Sequence, residues 1–587
     1  MKVLLINPVT SFKDLQKERT GVAYPLGIGY IGAFLLESGH DVNILDNNQK
    51  CLSKDEIIDY LNDYQPDIVG IGAMVNSYNQ VQQLARLVRE TVNIPVVLGG
   101  PMATYCSKTV LEKMDIEVCV LGEGEEISGE LFDNWPNYQN IDGISYLNDA
   151  GEFIENDPRV FTKTRSEYPY PGYDNLLNIE KYIRANLTSW ETPFFHDKYM
   201  KEYRKKVSPG TRIASMVTGM GCPYKCTFCT NSTHFMKTRV RSPEDVAKEV
   251  LHLKEKHNIE GVHFVDDLLI LQKQRTLELC EELGKTGVKW AGQSVGRATA
   301  DEEVVKILSE SGCVGYGLGV ESGSDRMLQA MKKGSRTKNY EASLANALKY
   351  GIGIRTQMLY GSPGESQETL QETIDWFKSS KFPPRRYNRL VPMPGSAVYD
   401  QCLSQGIIKD EHDFLNYVSL LWGYASSEFI FNITSMTDKE YMDNCDWAEE
   451  TMYSNYSKAI KKEPQYYTGI ISYYFKKIIN PEVITRRLKE VLSKIYRKEQ
   501  KVTKEPMSIN SILEAISYYP DMLPDRTNQG FSNKTLVDQT LEKIFAKKDD
   551  KFEKNKISID TEVVDKISEI DLNLLNDEKS SIKRVEV

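Results

Sequence analysis

No apolar run in this 587-residue sequence approaches the roughly 18–20 residues that a bilayer core demands. The opening Met1-Lys2-Val3-Leu4-Leu5-Ile6-Asn7-Pro8 is too short for the apolar core of a signal peptide. It reads as a first buried strand, and the expected location is the cytoplasm. Positive charge is in deficit, with 73 Lys and Arg against 83 Asp and Glu and a net charge of −10. A phosphate backbone requires a basic surface, so nucleic acid is excluded as a main partner. Cysteine, at ten residues, is too sparse for a disulfide framework, which predicts a reducing compartment. Seven of the ten (Cys51, Cys106, Cys119, Cys280, Cys313, Cys402 and Cys445) are scattered and read as small buried hydrophobes. The 40% hydrophobic and 27% charged residues are ordinary for a soluble protein. A chain this long exceeds one core, and about two to four domains are expected.

Strand-like and helix-like segments alternate over residues 1–140, the pattern of an open α/β sheet. Val3–Ile6, Val42–Leu45, Ile68–Gly72, Pro95–Gly100 and Val118–Gly122 predict five strands of a doubly wound sheet. Ligands of such sheets bind beyond the carboxyl ends of the strands. Those ends carry Asn7-Pro8, Gly72-Ala73, Gly99-Gly100-Pro101 and Gly122-Glu123-Gly124-Glu125, whose glycines admit close backbone approach. The helix after Pro25 carries Gly27, Gly29 and Gly32, each costing about 1 kcal/mol relative to alanine. Either a face flattened for a large planar ligand or close helix–sheet packing explains that cost.

Residues 141–209 read as a hairpin around Asp149-Ala150-Gly151, then an irregular connector marked by Pro158, Pro169, Pro171 and Pro193. The basic cluster Lys198, Lys201, Arg204, Lys205 and Lys206 reads as a solvated linker face, with contact to an anionic substrate as the alternative.

The chemistry is declared at Gly219-Met220-Gly221-Cys222-Pro223-Tyr224-Lys225-Cys226-Thr227-Phe228-Cys229. Three cysteines spaced C-x3-C-x2-C are the arrangement by which one loop wraps one iron–sulfur cluster. A four-iron cluster held by three thiolates keeps one iron open, and an open metal position is where a ligand reacts. A zinc site would need a fourth ligand such as His234, but zinc explains none of the motifs that follow. From 210 to 400 six strands are expected: Ile213–Thr218, Gly261–Val265, Val288–Gln293, Val314–Val320, Gly353–Met358 and Tyr387–Val391. With helices between them they predict a partial (β/α)6 barrel, whose chemistry belongs at the carboxyl ends of the strands. Ser242-Pro243-Glu244-Asp245 is a helix start. His263, mid-strand among apolar residues, reads as a core histidine; Tyr360 faces either substrate or core.

Residues 210–400 resemble a radical S-adenosylmethionine enzyme. The cysteine loop with Phe228 before its third cysteine matches the family signature. Glu321-Ser322-Gly323, Gly361-Ser362-Pro363-Gly364-Glu365 and Pro392-Met393-Pro394-Gly395-Ser396 at later strand ends agree with it. The resemblance implies that Cys222, Cys226 and Cys229 hold a [4Fe-4S] cluster and that S-adenosylmethionine chelates its open iron. By the same resemblance Phe228 lies near the adenine and Glu321 bonds the ribose, a carboxylate being suited to two hydroxyl donors. Gly361 belongs to the same set. The family's Gly-Gly-Glu is replaced by Asp266-Asp267, so Asp266 is the candidate for the ammonium, with helix capping as its bland alternative. Ser294 and Arg297 are candidates for the carboxylate.

Residues 1–140, through Tyr24-Pro25-Leu26-Gly27, Gly99-Gly100-Pro101 and Gly122-Glu123-Gly124-Glu125, resemble the Rossmann-like cobalamin-binding domain found in front of some radical S-adenosylmethionine enzymes. The implied cobalamin contacts are Tyr24, Pro25, Gly72, Gly99, Gly100, Gly122 and Glu123. Asp-x-His-x-x-Gly is absent and His40 is misplaced for a cobalt ligand. The lower cobalt position is therefore open, water-bound or filled from a loop such as 7–24.

Together the resemblances imply a C-methyltransferase acting on an unactivated carbon through a 5′-deoxyadenosyl radical and methylcobalamin. They also imply a small-molecule or peptide substrate and an electron donor such as flavodoxin or ferredoxin. The alternatives are a cyclase, ring-contracting or rearranging enzyme with the same cofactors, or a non-enzymatic cobalamin sensor. The N-terminal domain has no second cysteine triad, which disfavours a methylthiotransferase. Residues 401–546 read as mainly helical and tyrosine-rich, around Tyr466-Tyr467 and Tyr473-Tyr474-Phe475, either roofing the barrel or simply packing. Residues 547–587 read as a charged, loose tail.

Overall fold

A computed structural model of the chain describes residues 1–9, 22–183, 211–230, 238–380, 382, 384, 387–422 and 431–460. Of the two compact units, Met1–Pro524 and Asp525–Val587, all of these belong to the first. The basic cluster at 198–206, His234, the tyrosine-rich 461–546 and the tail lie outside the described residues.

The N-terminal sheet contains β1 (Lys2–Asn7), β2 (Asp41–Asp46), β3 (Ile68–Gly72), β4 (Val96–Gly99), β5 (Val118–Val120), β6 (Ile144–Leu147) and β7 (Phe153–Glu155). Their order is β2-β1-β3-β4-β5-β6-β7. The first five are parallel and the hairpin β6–β7 adds two antiparallel strands at the β5 edge. The apolar runs of the parallel strands are covered on both faces, which is why they show no alternation. The order in which strands are added reverses between β1 and β3, so the crevice of this sheet opens beyond Asn7 and Gly72.

The barrel strands are β8 (Ile213–Met216), β11 (Gly261–Phe264), β12 (Lys289–Ser294), β13 (Cys313–Glu321), β14 (Gly353–Tyr360) and β15 (Tyr387–Arg389), with the short β9 (Gly219–Met220) and β10 (Arg239–Val240) between the first two. The six run parallel in sequential order. Each expected strand is present. The helix Pro243–His257 starts as its sequence predicts, with Ser242 accepting from the Asp245 amide and proline in the first turn. The β9–β10 ribbon, which closes the cysteine loop at its base, was not signalled by periodicity.

The glycine-bearing helix Leu26–Glu37 has a packing explanation. A Cβ at Gly29 would meet the Tyr24 ring at 2.8 Å, and one at Gly32 would meet Leu176 at 2.8 Å. Gly27 alone of the three faces open space. The connector 160–183 therefore covers this helix. It is bonded to both neighbours, Tyr182 Oη donating to Asp46 (2.8 Å) and Tyr173 Oη to Glu249 (2.9 Å).

The described C-terminal helices are shared between the two cores. Phe414, Leu415 and Val418 of Glu411–Trp422 join the N-terminal core, while Tyr441, Cys445, Ala448 and Met452 of Asp438–Ile460 join that of the barrel. Tyr360 is fully buried and donates to the Tyr441 carbonyl (2.7 Å), which makes it a core residue and not a substrate contact.

The turn after β14 contains Glu365, buried and accepting from Thr369 Oγ1 (2.7 Å). Burial pushes its carboxyl up to about 7, against the lowering effect of its Thr369 and Gly361 donors. Between the ordinary 4.5 and about 7 the folded protein holds a proton that the unfolded chain releases, so stability falls as pH rises through that window. Glu365→Gln removes this proton uptake. The variant is expected to gain on the wild type by on the order of 3 kcal/mol as pH rises from about 4.5 to about 8, read as the difference between their urea unfolding free energies. A pH-independent difference would contradict this assignment.

Candidate active site at the cysteine loop

The site is built outward from the end of β8. Asp266, just beyond β11, accepts from the Thr218 amide (3.0 Å) and Thr218 Oγ1 (2.7 Å), tying the ends of the first two barrel strands together. Burial pushes its carboxyl up to about 6, with the Thr218 donors acting in the opposite direction. The chain then forms β9, makes the cysteine loop, and returns as β10, with Met220 opposite Arg239 and Gly219 opposite Val240. A Cβ on Gly219 would meet the Arg239 carbonyl at 2.8 Å, so the ribbon closes only with glycine there.

Cys222, Cys226 and Cys229 form no disulfide and are partly exposed, whereas the other seven cysteines are buried. Burial pushes the Cys226 thiol up to about 11, with Cys229 and Cys222 adding to the rise and Lys333 opposing it. Three soft sulfurs that feel one another, on one loop, are a donor set that fits an iron–sulfur cluster. The loop is fastened from outside: the Thr227 amide donates to the Met331 carbonyl (3.0 Å), and the Thr227 carbonyl accepts from Val398 (3.1 Å).

The sulfurs open onto a cavity of about 440 Å³ at the carboxyl ends of the barrel strands. Phe228, Asp266, Ser294 and Glu321 line it, as do Tyr224, Asp267, Lys333 and Gly334. Its polar floor is His263, Gln293 and Gln357. His263 therefore lines the cavity and is not the core histidine that its apolar neighbours suggested.

Glu321 occupies the left-handed region, with φ +63°, at an irregularity in the pairing of β13 with β14. Such strain in a non-glycine residue is characteristic of functional positions. It brings the carboxylate to 2.9 Å from Lys333 Nζ. The Lys333 ammonium also lies over the Phe228 ring, 5.6 Å from its centroid. Glu321 holds the lysine charged and its pKa above the usual lysine range, although burial works against the charge. Sequence reasoning missed Lys333. Its position depends on the left-handed Lys332 (φ +52°) and on Gly334, where a Cβ would meet the Tyr224 ring at 2.2 Å.

Two expected contacts lie elsewhere. Arg297 is exposed and donates to Tyr224 Oη (3.2 Å), outside the cavity lining. Gly361 is also outside it, with the Tyr441 hydroxyl where its Cβ would be. Asp266 lines the cavity, but its carboxylate already serves Thr218 and does not cap the next helix, which starts at Lys273. Ser294 donates to the carbonyls of Ile270 (3.4 Å) and Val295 (3.2 Å).

On the N-terminal sheet the candidate cobalamin residues divide. Gly122 leaves open space where a Cβ would stand, and its amide is held by Thr104 Oγ1 (3.0 Å), while a Cβ at Gly99 would touch only the Ile71 carbonyl, at 4.0 Å. Gly100, at φ +85°, makes the turn against the Ala73 carbonyl. Pro25 stands at the start of its helix. Gly72 packs on Ile28, and Tyr24 is buried between Tyr173 and Tyr182, at centroid distances of 5.0 and 5.1 Å. Glu123 is buried in ion pairs with Arg165 and Arg239. The Tyr24 and Glu123 side chains are thus taken up by packing and ion pairs, and the space over the Gly72 Cα by Ile28. His40 is bound to Asp133 (3.1 Å), away from the strand ends. Tyr105, on the helix that follows β4, borders the loop beyond Cys229 through Gly395, whose Cβ position meets both the Tyr105 ring (2.7 Å) and the Thr230 carbonyl (2.5 Å).

A parallel half-barrel that carries three thiols to its open end, with a doubly wound sheet bordering the same loop, defines a two-cofactor radical enzyme. The Radical SAM superfamily model matches residues 216–377 and the B12 binding domain model matches residues 13–132. The chain is thus a cobalamin-dependent radical S-adenosylmethionine enzyme. It is 28% identical over 415 residues to an uncharacterized methyltransferase of Pyrococcus horikoshii, covering 70% of this chain and 84% of the relative. It is 28% identical over 485 residues to the cytidylyl-2-hydroxyethylphosphonate methyltransferase of Streptomyces wedmorensis, covering 75% and 87%. An anaerobic magnesium-protoporphyrin IX monomethyl ester cyclase of Cereibacter sphaeroides is 25% identical over 394 residues, covering 64% and 60%. The radical S-adenosylmethionine methyltransferase TsrM of Kitasatospora setae, solved with tryptophan and an S-adenosylmethionine analogue, shares the fold at a TM-score of 0.54 and 20% identity, over 68% of this chain and 76% of that one. No helix among the described residues is long and apolar enough to cross a membrane.

Lys333→Met leaves Glu321 without its cation. S-adenosylmethionine is expected to bind the cluster-bearing variant about tenfold more weakly, about 1.4 kcal/mol, with iron and sulfide content unchanged. Equilibrium dialysis checks this, and an unchanged affinity would remove Lys333 from the binding set.

Proposed function

We propose that the protein is a cobalamin-dependent radical S-adenosylmethionine C-methyltransferase acting on an unactivated carbon of a small-molecule or peptide substrate. One observation carries the reading: the loop of three thiols borders both the barrel cavity and, through Gly395 and Tyr105, the strand-end side of the B12-binding sheet. The two methyltransferase relatives that span most of their own length support it.

When bound, the reduced cluster supplies the electron that cleaves S-adenosylmethionine, and methylcobalamin supplies the methyl group. The chain's own residues hold and orient. Cys222, Cys226 and Cys229 bind the cluster and leave one iron open. Glu321 takes the ribose hydroxyls, and Phe228 lies beside the adenine. The ammonium of the methionine part falls to Asp266, which lines the cavity beside Asp267, with Ser294 nearby in the lining. With Arg297 turned to Tyr224, Lys333 is the one Lys or Arg among the described lining residues to meet the carboxylate. Gly99, Gly100 and Gly122 form the edge that receives cobalamin. The electron donor is a flavodoxin or ferredoxin, and the reducing cytoplasm suits free thiols.

A second reading, oxidative cyclisation or rearrangement without methyl transfer, is favoured by the cyclase relatives. Methyl-labelled S-adenosylmethionine separates the two. Methyl transfer predicts label in the product together with S-adenosylhomocysteine; 5′-deoxyadenosine without either would replace the first reading by the second. If the reduced protein cleaves no S-adenosylmethionine and Cys226→Ala behaves identically, both fail.

A further inference from the structure

The cysteine loop leaves the barrel through Met220 and returns through Arg239, which pair across the β9–β10 ribbon. A loop pinched in this way is aimed by its neck. The returning strand of that neck is gripped by the B12-binding domain. Arg239 Nη1 donates to Glu123 Oε2 (2.7 Å), Nη2 donates to the Lys163 carbonyl, and the guanidinium lies 4.2 Å from the Phe161 ring centroid. Glu123, just beyond β5, is 5% exposed and also accepts from Arg165 Nη1 (3.1 Å), which in turn bonds Glu125 Oε1 (2.6 Å). Two residues further along, Arg241 is 2% exposed and donates to the Tyr30 hydroxyl (3.2 Å) on the glycine-bearing helix. Its remaining bonds go to Asp245 (2.7 Å), the Val217 carbonyl (3.2 Å) and Glu249. Arg239 of β10 and Arg241 just beyond it thus end on two separate elements of the neighbouring domain.

Stability alone is a poor account of this arrangement. Glu123 and Glu125 balance Arg165 and Arg239, and such buried sets add little net stability over apolar packing. Their best-attested use is to fix register. Apolar contact between the domains already exists, with Leu359 and Leu390 of the barrel in one cluster with the N-terminal strands. What directional, charge-matched bonds add is a single allowed setting. Neither Arg239 nor Glu123 lines the cavity.

We propose that the Arg239–Glu123 pair, seconded by Arg241–Tyr30, sets the cluster loop against the cobalamin domain and so fixes the separation and angle between cluster and cobalt. These are positioning residues. The inference rests on the two-cofactor reading of the site and not on methyl transfer.

The test is electron paramagnetic resonance of full-length protein reconstituted without oxygen and loaded with cob(II)alamin. The readout is the faster relaxation of the cob(II)alamin spin caused by the reduced cluster, which depends steeply on distance. The wild type is expected to show that enhancement. Arg239→Gln and Glu123→Gln should load both cofactors fully yet lose part of it and show a broader spread, with Arg239→Lys in between. Arg239→Gln is the deciding variant, because Arg165 still partners Glu123. Wild-type relaxation in both variants would overturn the proposal, as would failure of both to load cluster or cobalamin, since the pair would then serve folding. No enhancement in the fully loaded wild type would instead overturn the shared-site reading.

Discussion

The bond between Asp266 and Thr218 is the constraint on which the rest of the site depends. It joins the ends of the first two barrel strands through one buried carboxylate, and the cysteine loop starts immediately beyond it. A cluster held by three thiolates tolerates little slack, because the open iron must point where a ligand can chelate it. Asp266 fixes the start of the loop, the Met220–Arg239 pairing closes its base, and the 331–334 turn presses on it through Thr227. Three local restraints thus hold residues 221–230, which form turns but no helix or strand.

The same turn supplies the site's charge. Lys333 comes to Glu321 only because Lys332 adopts a left-handed conformation and Gly334 gives way to Tyr224. The cavity therefore pairs a carboxylate and an ammonium beside the three sulfurs. An anion facing the thiolates unaccompanied would raise their pKa and oppose cluster assembly. The lysine offsets that effect and leaves the carboxylate available for hydroxyl donors.

What could be read from the sequence was what is encoded locally. The six barrel strands and five parallel strands of the first sheet announce themselves as short apolar runs between glycines, and the cysteines by their spacing. Glu321 was found because its neighbours Ser322 and Gly323 complete a motif. The failures concern residues whose roles depend on a partner far away in the chain. Asp266 was read as a partner for the S-adenosylmethionine ammonium, and its hold on Thr218, 48 residues earlier, went unseen. Arg297 sits at the right strand end but turns to Tyr224. Glu123, in a glycine-rich edge that suggested cofactor contact, is neutralised by Arg165 and Arg239 from two later segments. Gly29 and Gly32 admit Tyr24 and Leu176, not a planar ligand. Periodicity and motifs carry no information about such pairings.

The central claim is that the three-cysteine loop presents one open iron to the cavity lined by Glu321 and Lys333. It is tested most directly by electron–nuclear double resonance of the reduced protein with S-adenosylmethionine labelled at the amino nitrogen and carboxylate oxygens. The account predicts hyperfine couplings from both labels to the cluster, absent in Cys226→Ala. Full-affinity binding of S-adenosylmethionine without either coupling would contradict it.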